Sequence, residues 1–165
     1  MALIAGIDPG FDRTGFAILD TSVSPAKLVD AGVIRTPRDK SLGERLFLLH
    51  QDLREVLSGK KIISAAVEKI FFSVNVKTAI SVAHGRGVAL SLLAELGIPV
   101  AEYTPSQIKK AVAGSGKAGK SEVQEMVRRL MGLPKGVSQD DAADAIAAAL
   151  CHGGPTAFRV INRTW

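Results

Sequence analysis

Residues 2–10 read ALIAGIDPG, a short apolar run that stops at Asp8-Pro9-Gly10. A run of that length broken by Pro-Gly reads as a buried strand closed by a turn, because proline fixes its own φ and glycine tolerates tight bends. Working outward, residues 14–19 and 28–34 are two more strand candidates separated by turn residues, which predicts an antiparallel meander. Residues 62–67, IISAAV, are nearly all apolar, as a strand covered on both faces should be, and this run too ends in an acid, Glu68.

Helices fill the gaps between these runs. Ser41 and Glu44 form a capping box before Leu42, Leu46, Leu49, Leu53 and Leu57, and Gly59 closes that helix. A second helix is predicted over 76–96 and stops at Gly97. Residues 98–103 form the next strand, with Pro99 tolerable at its start. Thr104 caps and Pro105 opens a short helix carrying Ile108 and Val112. The glycine-rich stretch 114–119 leads to a helix over 121–131, ended by Gly132 and Pro134. The last helix starts near Ser138 and is rich in alanine to Leu150. The expected fold is α/β: a mixed five-stranded sheet, three strands antiparallel and then parallel ones, with helices on both faces. Residues 1–153 are expected to form one domain, and 154–165 a flexible tail.

Composition narrows the classes. The chain has 165 residues, 47% of them apolar, with a net charge of +5. That size suits one core-forming domain, and the basic balance would attract an acidic substrate such as nucleic acid. The single cysteine, Cys151, excludes an intramolecular disulfide and suits a cytoplasmic protein. No run is long and apolar enough for a membrane span, and the early Asp8 breaks any signal-peptide core.

The acids carry the chemistry. Asp8 and Glu68 close two strands, and neighbouring strands would set them side by side. Asp141 and Asp144 stand three apart, on one face of the last helix and in its first turns, where the dipole favours negative charge. The alanines that follow would let this helix lie close against the sheet and bring its acids to the other two. Four carboxylates suit hard ions such as Mg²⁺ or Mn²⁺ rather than zinc, and two ions could clamp a phosphodiester under attack by water. Taken alone, Asp8 before Pro-Gly is an ordinary turn residue and Asp141 an ordinary capping partner for Ser138.

Gly6-Ile7-Asp8-Pro9-Gly10, Thr14-Gly15, Glu68 followed by Phe71, Lys120-Ser121 and Asp141-Ala142-Ala143-Asp144-Ala145 together resemble the RuvC family of bacterial Holliday junction resolvases, in the same order from about residue 3 to 152. The resemblance implies a ribonuclease H-like fold, and a homodimer that nicks a four-way DNA junction symmetrically with Mg²⁺ or Mn²⁺, two per site. It implies partnership with the RuvA–RuvB branch-migration complex in recombination and repair. It assigns metal binding to Asp8, Glu68, Asp141 and Asp144, supporting catalytic roles to Lys109 and Lys120, and junction wedging to Phe71.

Phe72 is open between stacking on bases and core packing. Arg13, Lys77 and Lys117 are candidate DNA contacts, although any one basic residue alone reads as a solvated charge. Residues 114–121, GSGKAGKS, satisfy the Walker A pattern, but that motif should follow a buried strand, whereas 105–112 reads as a helix. Asp8 with Gly10, Thr14 and Gly15 also resembles the phosphate turn of actin-like ATPases, which need two such subdomains. Ala79, Ala83 and Gly87 form a small-residue stripe that would serve helix packing across a dimer axis or on the chain's own sheet. A binding module without catalysis is the rival class. It predicts salt-sensitive junction binding without divalent-dependent nicking.

Overall fold

The computed structural model describes residues 1–70, 76–134 and 140–154, without the side chains of residues 76–78 and 140–141. Three strands, β1 (Leu3–Asp8), β2 (Arg13–Asp20) and β3 (Lys27–Arg35), form the expected meander. Helix α1 (Leu42–Leu57) follows, then β4 (Ile62–Glu68), α2 (Val76–Glu95) and β5 (Val100–Tyr103). Three helices complete the chain: α3 (Pro105–Ala113), α4 (Lys120–Met131) and α5 (Asp140–Gly153). The sheet order is β3-β2-β1-β4-β5, with β4 parallel to both β1 and β5. Strands one and four are therefore neighbours, as the site argument requires.

Local sequence explains the boundaries. The Ser41 side chain accepts from the Glu44 backbone while the Glu44 carboxylate accepts from the Ser41 backbone, so the predicted capping box forms. The same reciprocal pair forms between Thr104 and Gln107, a second box at α3. β5 begins at Val100, two residues later than expected. Pro99 has no N–H to give a ladder, yet its carbonyl accepts from Ala65 N at 2.8 Å and anchors the strand's approach. α5 runs three residues past Leu150, and its predicted start at Ser138 lies outside the described residues. The tail from 155 lies outside them as well.

Each face of the sheet has its own core. Leu49, Leu53, Leu57, Leu92 and Leu93 of α1 and α2 bury Ile7, Ile18 and Val67. Ile108, Val123, Val127, Ile146 and Leu150 of α3, α4 and α5 bury Ile4, Ala17, Leu19 and Ala66 on the other face. α5 lies very close to β1 because two small residues meet there. A Cβ on Gly6 would stand 2.1 Å from the Ala145 carbonyl oxygen and 2.7 Å from Ala149 N. On the opposite face, a Cβ on Gly85 of α2 would stand 2.2 Å from the Gly10 carbonyl oxygen. Of the small-residue stripe on α2, Ala79 is buried, but Ala83 and Gly87 face outward, so the stripe as a whole does not pack on this chain's sheet.

Candidate active site

Asp8 ends β1 and Glu68 ends β4. Ile7 pairs with Val67 in parallel register, so the two acids follow one matched rung at the carboxyl edge of adjacent strands. The Gly6 contact holds α5 against β1, and the first turns of that helix bring Asp144 to the same edge. Asp141 occupies the turn before it, and its side chain is outside the described residues. The turn after Asp8 is closed locally: Thr14 Oγ1 donates to the Gly10 carbonyl at 2.8 Å.

Two lysines stand on the far wall. Lys120 is the first residue of α4, and its Nζ lies 3.6 Å from Asp144 Oδ2. Lys109 comes from α3. A cleft of about 270 Å³ opens between the walls, lined by Glu68, Lys109, Lys120 and Asp144 above an apolar floor that includes Ile108 and Val123. The second capping box and Pro105 fix where α3 starts, and so fix where Lys109 points from.

Electrostatics show that these acids crowd one another. Burial, then the Asp144 charge, raises the Asp8 carboxyl to about 6 against the opposing pull of Lys120. Burial, then Asp8 and Asp144, raises Glu68 to about 7 against the pull of Lys109. Among the described residues, no three His, Cys, Asp or Glu side chains close around a single point; Asp141 is outside that comparison. The donor set consists of carboxylate oxygens that repel each other and sit among apolar atoms. That chemistry fits a hard divalent cation, which would offset the repulsion.

A pH dependence follows. Both carboxyls titrate higher in the folded chain than unfolded, so their stabilising contribution is complete below about 4 and is lost as pH rises through 6 to 7. Without divalent ions, the two acids therefore destabilise the chain most at pH 8. Millimolar Mg²⁺ or Mn²⁺ is expected to raise the Tm clearly at pH 8 and scarcely at pH 5. Differential scanning calorimetry checks this, and an equal rise at both values would contradict it.

The other predicted residues fare unevenly. Phe71 and Phe72 lie outside the described residues, as does the Lys77 side chain. Arg13 is exposed at the first residue of β2. Lys117 is exposed in the loop before α4, and the cleft lining contains Lys109 and Lys120 but not Lys117. The Walker-like segment follows a helix, as expected, rather than the strand a nucleotide loop requires.

Sequence reasoning passed over Arg45. It occupies the buried stripe of α1 with Leu49, Leu53 and Leu57, and its guanidinium reaches the turn that follows Asp8. A charged residue in phase with three buried leucines was the available signal.

The model of the family described as crossover junction endodeoxyribonuclease RuvC matches residues 4–152. The crossover junction endodeoxyribonuclease RuvC of Roseiflexus sp. is 47% identical over 147 residues, covering 89% of this chain and 88% of that protein. The Thermus thermophilus RuvC structure aligns with a TM-score of 0.81 at 35% identity, over 91% of this chain and 92% of that one. The same organism's RuvC in complex with Holliday junction substrate aligns with a TM-score of 0.86 at 34% identity, over 95% and 96%. The sheet order and the helices on both faces are thus those of a ribonuclease H-like fold. Matched along nearly its whole length in sequence and in structure, the chain belongs to the RuvC family of crossover junction endodeoxyribonucleases.

Proposed function

We propose that this chain resolves four-way DNA junctions by paired symmetric nicks, using Asp8, Glu68, Asp141 and Asp144 to hold two divalent ions, Mg²⁺ or Mn²⁺. The observation that carries the reading is the convergence of Asp8, Glu68 and Asp144 from β1, β4 and α5 on one edge, faced by Lys109 and Lys120. Family membership and the likeness to a RuvC bound to Holliday junction substrate support the choice of DNA. A bound ion pair would lower the pKa of the attacking water and offset charge on the leaving oxygen.

The chain's own groups do the remaining work. The acids fix the geometry of the reacting phosphate by fixing its counter-charge. Lys109 and Lys120 would hold non-bridging phosphate oxygens and favour the extra negative charge of the transition state. Lys120 Nζ lies 3.6 Å from Asp144 Oδ2, so a phosphate drawn to the lysine would also sit beside that carboxylate. Phe71, with Phe72 beside it, would enter the opened junction, and Arg13, Lys77 and Lys117 would follow the phosphate backbone. A homodimer supplies two such sites for two opposed strands, with the RuvA–RuvB complex as its partner and the cytoplasm as its compartment. Residues 1–153 would act as one nuclease domain. Among the described residues, no helix is long and apolar enough to cross a membrane.

The deciding experiment incubates the protein with an immobile four-way junction, with and without Mg²⁺ or Mn²⁺, and maps the nicks. Symmetric, ion-dependent nicks are expected, while salt-sensitive binding without nicking would favour the non-catalytic alternative. Lys120→Ala should lower the single-turnover rate by about 10²-fold, the typical loss for one charge-stabilising donor. It should also move the acidic limb of the pH–rate profile upward, because Lys120 now opposes the rise of the Asp8 pKa. An unshifted limb would remove Lys120 from that electrostatic role.

A further inference from the structure

On the face of the sheet away from α5, one arginine holds three groups at once. Arg45 is 8% exposed. Its Nη2 donates to Asp12 Oδ1 at 2.5 Å and to Thr36 Oγ1 at 2.7 Å, and its Nε donates to Thr36 Oγ1 at 3.1 Å. The guanidinium carbon lies 3.8 Å from the centroid of the Phe11 ring. Thr36 in turn donates through Oγ1 to the Phe11 carbonyl at 2.7 Å and through its N–H to the Asp12 carbonyl at 3.2 Å. Residues 9–12 are the turn that leaves Asp8. Arg45 therefore grips that turn by its aromatic ring and its carboxylate, and steadies the threonine that binds its backbone.

The opposite side of the turn meets α2, where Gly85 leaves no room between the helix and the Gly10 carbonyl. We infer that Arg45 is a positioning residue for cleavage: through Phe11, Asp12 and Thr36 it fixes the turn that sets the direction of the Asp8 carboxylate. Stability alone does not explain such an arginine. The ion pair is open to solvent on its Asp12 side, and ion pairs of that kind contribute little to stability, so packing does not require a charge here. Asp12 is about half exposed and also meets Arg38 at 3.1 Å, so it has solvent and a second partner without Arg45. What only the guanidinium supplies is direction: a planar fork that bonds two side chains while its face rests on a third. The expected cost of losing it is kinetic, since sub-ångström misplacement of a reacting group lowers rate far more than it lowers stability.

This inference rests on the junction-cleaving reading above, and the test separates the two. Native protein, Arg45→Met, Arg45→Lys, Asp12→Asn and the control Leu53→Ala, which loosens α1 away from the turn, are compared in three measurements. These are single-turnover nicking of a saturating junction with Mn²⁺, junction affinity without divalent ions, and the Mn²⁺-induced rise in Tm without DNA. Arg45→Met is expected to nick ~10-fold slower with affinity unchanged and with the Mn²⁺-induced rise reduced by about half. Arg45→Lys should behave like it, because one ammonium cannot span Asp12 and Thr36 while stacking on Phe11. Asp12→Asn should lose rate in the same direction. Leu53→Ala should lose Tm yet nick at the native rate well below its melting temperature. Native nicking with a native ion response in Arg45→Met, or equal slowing in Leu53→Ala, overturns the inference. If Arg45→Met fails to fold, the surface variant Asp12→Asn decides, and its nicking at the native rate overturns the inference. Native protein that nicks no junction but gains Tm with Mn²⁺ defeats the functional reading instead, and the ion response of the variants then decides the role of Arg45.

Discussion

Asp8→Asn is expected to lower junction cleavage by ~10³-fold or more, about 4 kcal/mol of barrier, while leaving junction affinity intact. Asparagine keeps the size and shape of the side chain, so the strand end and its turn are undisturbed. It replaces a negative oxygen by an amide whose N–H₂ cannot bind a cation. Asp8 is largely enclosed, flanked by Glu68 on the adjoining strand and by the Asp144 charge. Binding should hold or tighten, because one fewer negative charge faces the phosphates. The same substitution should raise the Tm of ion-free protein at pH 8, where the native carboxyl, with its pKa near 6, is held charged at a cost. Nicking assays and calorimetry on one preparation test both halves. Cleavage at the native rate would end the proposed mechanism.

Gly6→Ala should also slow cleavage strongly, although this residue touches no substrate. The added Cβ would meet the Ala145 carbonyl oxygen at 2.1 Å and Ala149 N at 2.7 Å. Both are backbone atoms of a helix and cannot rotate aside, so α5 must lift from β1. Overpacking of this kind typically costs 1–3 kcal/mol, and a backbone clash belongs at the upper end, about 3 kcal/mol. Because α5 carries Asp141 and Asp144 while β1 carries Asp8, the same displacement pulls the acids apart. A shift of about 1 Å predicts a ~10²-fold fall in single-turnover rate. Gly43→Ala is the internal contrast. Nothing lies within 4 Å of a Cβ there, and alanine suits a helix better than glycine, so stability should rise by up to about 1 kcal/mol at native activity. If Gly6→Ala melts and nicks like native protein, the close approach of α5 does not govern the site.

These two substitutions also mark how far the amino-acid order can be read. Asp8 was legible because an acid that ends an apolar run contradicts the run, and Glu68 repeats that contradiction. The meander, the first capping box and the helical context of the Walker-like segment were legible for the same reason: each is a local pattern enforced by neighbours in sequence. The metal-binding roles proposed for Asp141 and Asp144 drew strength from family resemblance, because i,i+3 acids alone are ordinary. What local pattern could not reveal is contact across the sheet. Gly6 reads as one more small residue in a strand, and only the placement of Ala145 and Ala149 above it gives it a role. Gly85 stands two residues from Ala83 and Gly87, on the other side of α2 from the stripe that drew attention, and it is Gly85 that meets Gly10. Arg45 was hidden because the leucines around it completed a sufficient apolar pattern. Pro99 displaced the start of β5 because its missing N–H removes a ladder bond while its carbonyl still bonds Ala65.

The far end of α5 has its own fastening. His152 accepts or donates through both ring nitrogens, to Ser64 Oγ at 2.7 Å and to Tyr103 Oη at 2.9 Å, and so ties the helix to β4 and β5 at once. Bolted there and seated on Gly6 midway, α5 has no freedom to slide along the sheet, and the acidic end it projects behaves as a fixed jaw. α3 and α4 pack on that same helix through Ile108, Val112, Val123 and Val127, so the lysine-bearing wall is braced by the carboxylate wall. The two walls of the cleft thus stand on one shared foundation, and loosening any of its three helices would be felt at both.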